Sequence, residues 1–213
     1  MFYLDSRHVY RVTELDALEW LEHGFGTRLS DIPGRFPNLA TVKQVHSAAC
    51  VAADGRTGVL GNGDALIENT PGAVVAVRTA DCIPILLVDG RSRAVAAVHA
   101  GWRGTVARIA ASAVAAMQDR FGSAPGDLHA AIGPGIGKCC YEVGPEVAAC
   151  FGGQGRAHID LAEANRRQLL EAGVTARRIH ASNLCTMCRP GEFHSFRRDK
   201  EAAGRLYSFA GIR

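Results

Sequence analysis

"ADCIPILLVDGRSRAVAAVHAG", residues 80–101, decides how this chain folds. Two apolar runs, 83–88 and 94–98, flank Asp89-Gly90-Arg91-Ser92, a turn signal suited to an antiparallel hairpin. With residues 89–92 as a four-residue loop, Val88 pairs with Arg93 and the partner of Cys82 is His99. A two-residue loop at Gly90-Arg91 gives the same register. A loop at Asp89-Gly90 shifts it by two, which still leaves Cys82 and His99 on one face, because strand side chains alternate with period two. Pro84 cannot donate to a ladder and points to an edge or a bulge there.

On the N-terminal side, "SDIPGRFPN" (30–38) reads as a loop, and short β-type runs dominate from "ATVKQVHSAACVAA" (40–53) to the hairpin. Beyond the hairpin, the chain turns at Gly101 and descends into a helix over 105–121. There Val106, Ile109, Ala110, Ala113, Met117 and Phe121 share one face, and Gly122 supplies the stop. "LHAAIG" (128–133) is a strand, and "GPEVAACF" (144–151) is a short helix opened by Pro145. "DLAEANRRQLLEAG" (160–173) places Asp160 and Glu163 at capping-box spacing, with Gly173 past the helix end. "SFRRDKEAAGRLYSFAGI" (195–212) reads as a closing hairpin. No repeat or linker divides the chain, and strands and helices mix without strict βαβ alternation. The expected fold is therefore α+β or layered α/β, one domain over 1–213 with mixed and antiparallel sheets flanked by helices.

Composition narrows the function classes. At 213 residues and 47% hydrophobic content, the chain can bury a proper core. The net charge is +3 and the 24 Lys and Arg are scattered, which argues against a nucleic-acid partner. No apolar run reaches the ~18 residues of a membrane span, and "MFYLDSRHVYR" lacks the layout of a signal peptide. Seven cysteines, an odd count without a disulfide-framework spacing, suggest a reducing cytoplasm with thiols left for chemistry or metal.

A thiolate and an imidazole side by side suit a borderline-soft divalent metal. His46 in "VKQVHSA", itself in a β-type run, is the best third ligand beside Cys82 and His99. Three such ligands with an open fourth position match a catalytic zinc site rather than a closed structural one. Against this stands ordinary packing, since Cys is among the most often buried residues. The pair "CTMC" (185–188) with His194 hints at a second metal site, but one CxxC without a second pair is a weak signal. Cys188 reads as incidental, and Cys139 and Cys140 as packing thiols in a Gly-rich turn.

"KQVHS", "GDALIENTPG", "RTADCIPILL", "AAVHAGWRGT", "IGPGIGKCCYEVG" and "FRRDKEAAGRLY" occur here in that order. Together they resemble the YfiH family, also called the peptidoglycan editing factor or laccase-domain family, over most of residues 22–213. The resemblance implies one zinc ion, with copper the lesser choice, held by the residues that fall on His46, Cys82 and His99. It also nominates substrate contacts. Gly101 and Gly104 let the backbone turn, a helix from near Thr105 aims its free N–H groups at the pocket, and Arg103 adds a planar donor fork. Arg28 and Arg198 are further anion candidates by motif position, each weighed against a surface salt bridge. Trp102 is balanced between stacking a purine and packing the helix. Between "HGFGTR" (23–28) and "VKQVH" the chain is shorter than in typical members, Asn38-Leu39 standing for a longer block, which implies a reduced pocket wall.

The implied activity is zinc-dependent phosphorolysis of purine nucleosides (adenosine, inosine, methylthioadenosine) with adenosine deamination, the partners being a small nucleoside and phosphate. The alternative is hydrolytic editing of peptidoglycan precursors at an amide. Polyphenol oxidation ranks lower, since none of the eight histidines forms a His-x-His pair. A metal-free Cys–His hydrolase with Cys82 as nucleophile, and a non-catalytic metal-stabilised binding module, complete the field.

Overall fold

In the computed structural model, which describes residues 1–213, the chain opens with β1 (Phe2–Leu4), β2 (Val9–Val12), α1 (Thr13–Asp16) and β3 (Leu21–Gly26). Then come α2 (Ile32–Arg35), β4 (Ala40–Lys43), β5 (Cys50–Ala52), β6 (Gly58–Asn62), β7 (Ala65–Glu68) and β8 (Val74–Thr79). The hairpin is β9 (Ile83–Asp89) and β10 (Ala94–Ala100), followed by α3 (Trp102–Val106), α4 (Ile109–Phe121) and β11 (Leu128–Ile132). The last part holds β12 (Glu142–Val143), α5 (Pro145–Ala149), β13 (Ala157–His158), α6 (Leu161–Glu171), β14 (Ile179–Ala181), α7 (Phe196–Asp199) and β15 (Leu206–Ile212).

These elements build two large mixed sheets. One has seven strands in the order β1-β2-β3-β15-β8-β4-β6, the other six in the order β14-β11-β9-β10-β7-β5. Alternation along the hairpin explains how they stack. Ile83, Ile85, Leu87, Ala96 and Val98 join a core with Ile109, Ala113 and Met117 of α4 and Leu161 and Leu169 of α6. The intervening Leu86, Val88, Val95 and Ala97 join a second core with Val75, Val77, Leu206 and Ala210 of the seven-stranded sheet. The order of layers is thus helices, six-stranded sheet, seven-stranded sheet. A strand buried on both faces reads as an unbroken apolar run, which is why β9 and β10 show no polar alternation. The layered α/β reading holds.

Several readings need correction. The hairpin pairs Asp89 with Ala94, Val88 with Val95 and His99 with Pro84, two residues off the expected register. The cause is Asp89, whose carboxylate accepts from the Arg91 amide (2.8 Å) and the Ser92 hydroxyl (2.7 Å), so it closes a loop of residues 90–93 from within the strand. Arg93 completes that loop at φ +50°. Parity survives the shift, and Cys82 lies diagonally from His99 on one face. Pro84 marks neither an edge nor a bulge. His99 donates its backbone N–H the other way, to Asp64 O (2.7 Å), so no donor is required of Pro84 on that side.

The helix expected over 105–121 starts earlier and is broken. Gly101 precedes α3, and Arg108 takes a left-handed conformation (φ 64°, ψ 38°) between α3 and α4. Half of the expected capping box forms: the Asp160 carboxylate accepts from the Glu163 amide at 2.9 Å, while the Glu163 carboxylate pairs with Arg166 and Arg167 instead of reaching back. The closing hairpin does not exist. Ser195 caps the short α7, and β15 runs alone between β3 and β8, antiparallel to both.

Candidate metal centre

Three chain segments meet at the ends of β8 and β10. Cys82 stands just before β9, His99 is next to last in β10, and His46 lies in the loop between β4 and β5, not in a strand as expected. Their ligand atoms all lie within 4.8 Å of one another. The His46 and His99 rings meet edge to face, 5.0 Å between centroids. His99 is buried, Cys82 half-buried and His46 exposed, so the group opens to solvent on one side.

The backbone is bent to achieve this. His46 (φ +61°) and Asp81 (φ +86°) both hold left-handed conformations rare for non-glycine residues, the kind of strain that collects at functional sites. Asp64, fully buried before β7, fixes the His46 loop: its carboxylate accepts from the amides of His46 (3.0 Å) and Ser47 (2.6 Å) and from the Ser47 hydroxyl (2.8 Å). The same carboxylate bonds His99 Nδ1 at 2.8 Å, which leaves Nε2 free to ligate. Gln44 adds a second clamp, donating to Arg78 O (2.7 Å) and accepting from the Arg78 amide (2.8 Å). Asp81 accepts from the Thr186 hydroxyl (2.6 Å), the Ser195 hydroxyl (3.0 Å) and the Arg197 amide (2.7 Å), which ties the Cys82 corner to the C-terminal segment. A Cβ on Gly101 would stand 3.0 Å from both Cys82 Sγ and His46 Cδ2, so any side chain there would press on two of the three ligands.

Proton affinities follow from these contacts. Burial alone would raise the Cys82 thiol, but hydrogen bonds from His46 and His99 overcome it and bring the pKa down to about 6. Burial would lower His99, but Asp64 and the Cys82 thiolate carry it up to about 9. Burial would also raise Asp64, and its bonds to His99 and Ser47 hold it at about 2. Two imidazoles, a thiol poised to ionise and a carboxylate behind one imidazole form a donor set that suits a borderline-soft divalent metal. No fourth protein ligand joins the group.

The centre forms one wall of a cavity of about 720 Å³. Five cations line it, Lys43, Arg78, Arg197, Lys200 and Arg205, together with the aromatic rings of Tyr141 and Phe196. Of the nominated substrate contacts, Gly101 borders the metal ligands, and the three arginines make other contacts. Arg103 is exposed and stacks on Trp102 (4.4 Å to the ring), which packs against the helix-side core. Arg198 donates to Thr186 O, Met187 O and Phe193 O and pairs with Asp199, while Arg28 donates to Pro190 O at 2.7 Å. None of the three lines the cavity. Two of the cavity's own arginines lie in the quoted motifs: Arg78 opens "RTADC" and Arg197 precedes Arg198 in "FRRDK". No residue of 29–42 lines the cavity.

The chain matches the family model described as multi-copper polyphenol oxidoreductase laccase over residues 28–213. It belongs to that family. It is 40% identical over 185 residues to a purine nucleoside phosphorylase of Deinococcus radiodurans, covering 82% of this chain and 70% of that one. It is 38% identical over 221 residues to adenosine deaminase RL5 of an unknown prokaryotic organism, covering 93% and 80%. The crystal structure of the Bacillus licheniformis hypothetical protein YfiH superposes with a TM-score of 0.91 at 27% identity, covering 100% of this chain and 99% of that one. No helix here is long and apolar enough to cross a membrane.

Proposed function

We propose that this member of the laccase-like family is a zinc-dependent enzyme of purine nucleosides, cleaving them with phosphate and deaminating adenosine. One observation carries the reading: a His46–Cys82–His99 group with no fourth protein ligand opens onto a cavity lined by five cations and two aromatic rings. The relatives named above, a purine nucleoside phosphorylase and an adenosine deaminase, point the same way. Zinc suits the donor set better than copper because two imidazoles, one thiolate and an open position form a catalytic zinc pattern. When bound, such an ion supplies Lewis acidity, which acidifies water and polarises oxygen atoms brought to it.

The chain's own residues account for the rest. Phe196 keeps a large apolar side chain 43% exposed, and Tyr141, with the Arg197 guanidinium 5.3 Å over its ring, lines the same cavity, so a flat heterocycle has aromatic side chains to pack on. Phosphate, with roughly two negative charges at neutral pH, is received by Lys43, Arg78, Arg197, Lys200 and Arg205, against the single carboxylate of Asp81, which is already spent on three donors. Asp64 holds His99 in one tautomer and orientation. Amide hydrolysis of a cell-wall precursor remains the second reading, favoured only by the open ligand position.

The test is product analysis of the purified protein given adenosine or inosine, with and without phosphate. Base release that depends on phosphate and inosine formed from adenosine are the expected results. A strong chelator should abolish both and added zinc restore them, and Cys82→Ser should lower zinc affinity and turnover together. His46→Ala should be equally damaging. Full turnover in metal-free protein, with loss on thiol alkylation, would overturn the zinc reading in favour of a Cys82 nucleophile activated by His99.

A further inference from the structure

A second group of ligands lies behind the cavity wall. Cys139, Cys140, Cys185 and Cys188 bring their sulfur atoms within 4.8 Å of one another, although Cys140 and Cys188 stand 48 residues apart in sequence. Cys188 Sγ is 3.7 Å from Cys139 Sγ and 3.3 Å from Cys140 Sγ. A tetrahedral ion with metal–sulfur bonds of about 2.3 Å spaces its sulfurs by roughly 3.8 Å. All four cysteines are free thiols.

The surroundings are built for such a group. The Gly137 amide donates to Cys185 Sγ at 3.2 Å, a bond that strengthens when the sulfur carries charge. A Cβ on Gly137 would approach Cys139 Sγ and Cys185 Cβ to 3.2 Å, so the loop packs tightly on the sulfurs. Gly135 and Cys185 form an isolated parallel bridge, and Arg198 holds the Cys185–Cys188 turn by donating to Thr186 O and Met187 O, both at 3.1 Å. Oppositely, nothing here resembles an open site: four protein sulfurs complete a tetrahedron without room for substrate.

We propose that these four cysteines bind a second zinc-class ion as a closed structural site that fastens the cavity wall. Both loops it joins reach the candidate active site. Tyr141, which lines the cavity, directly follows Cys140, and Thr186, between the paired cysteines, donates to Asp81 beside Cys82. Binding releases the thiol protons and draws the 139–140 and 185–188 loops into one unit.

The experiment is metal content of the full-length protein, purified under reducing conditions and reconstituted with zinc alone, for wild type, Cys188→Ser, Cys139→Ser and His46→Ala. Cys139 and Cys188 are exposed, so serine there leaves no buried void. Each cysteine variant should carry one equivalent less than wild type, and His46→Ala should keep the tetrathiolate ion whatever happens at the first centre. Cobalt in place of zinc should give the intense thiolate charge-transfer bands of a tetrathiolate site, lost in Cys188→Ser and kept in His46→Ala. Equal metal content in wild type and both cysteine variants would overturn the proposal. So would a Cys140–Cys188 disulfide that persists in protein purified and kept under excess thiol reductant.

Discussion

His23 shows how one buried side chain sets the acid limit of the fold. It sits in β3 at 1% exposure, and its Nε2 accepts the Val12 amide at 3.0 Å, so the ring must be neutral at that nitrogen. Burial and the nearby Arg11 guanidinium lower its pKa to about 4. In the unfolded chain the ring titrates near 6.5, so between pH 6.5 and 4 the unfolded state binds a proton that the folded state refuses. The stabilisation is complete above pH 6.5 and is lost as the pH falls to about 4, roughly 3 kcal/mol in all. Urea denaturation of the metal-free protein across that window should show this loss. His23→Gln, which keeps an acceptor for Val12 but cannot titrate, should flatten it. An unchanged slope in the variant would show that other groups set the acid limit.

At the scale of elements, the α3–α4 junction carries a local cost. Arg108 is left-handed at φ 64°, where an L-residue with a Cβ is strained by about 1 kcal/mol relative to glycine, and its side chain gains only an exposed pair with Glu171. Arg108→Gly should therefore raise the unfolding free energy, read from urea denaturation, by up to about 1 kcal/mol, and Arg108→Val should lower it. If glycine destabilises, the Glu171 pair is worth more than surface pairs usually are. The sequence signals this break poorly, because Val106, Ile109, Ala110 and Ala113 keep helical spacing across it. The hairpin was legible because period two protects the face even when the register slips; the slip itself came from Asp89 turning back on its own loop. His46 was legible as a residue but not as a loop residue, since Asp64, which shapes that loop, is 18 positions away. For the same reason the cavity cations are not legible as a set, and "CTMC" registers only as a weak metal signal and Cys139 and Cys140 as packing thiols, not as one group. Loops, turns and strand ends far apart in the chain assemble them, and no local spacing records that.

The whole molecule depends on how closely its two sheets approach. Phe25, in β3 of the seven-stranded sheet, is 1% exposed and packs into the interlayer core with Leu86, Val88 and Ala131. Gly133, just past the end of β11 in the other sheet, donates its amide to Pro84 O at 2.9 Å and leaves no room beside the Phe25 ring. An added Cβ would collide with that ring. Gly133 is not among the positive-φ glycines, so its backbone would accept alanine and only the close approach forbids it. Gly133→Ala should then act as overpacking between layers, costing about 1–3 kcal/mol. Gly133 opens the segment that runs through Ile136 and Tyr141, both of which line the cavity. Phe25→Leu alone should destabilise by leaving a void. Combined, the smaller side chain makes space for the methyl group, so the double variant should be less destabilised than the sum of the two by about 1 kcal/mol. Urea midpoints for the four proteins measure this directly. Strict additivity would mean that Gly133 is required for something other than the contact between the sheets.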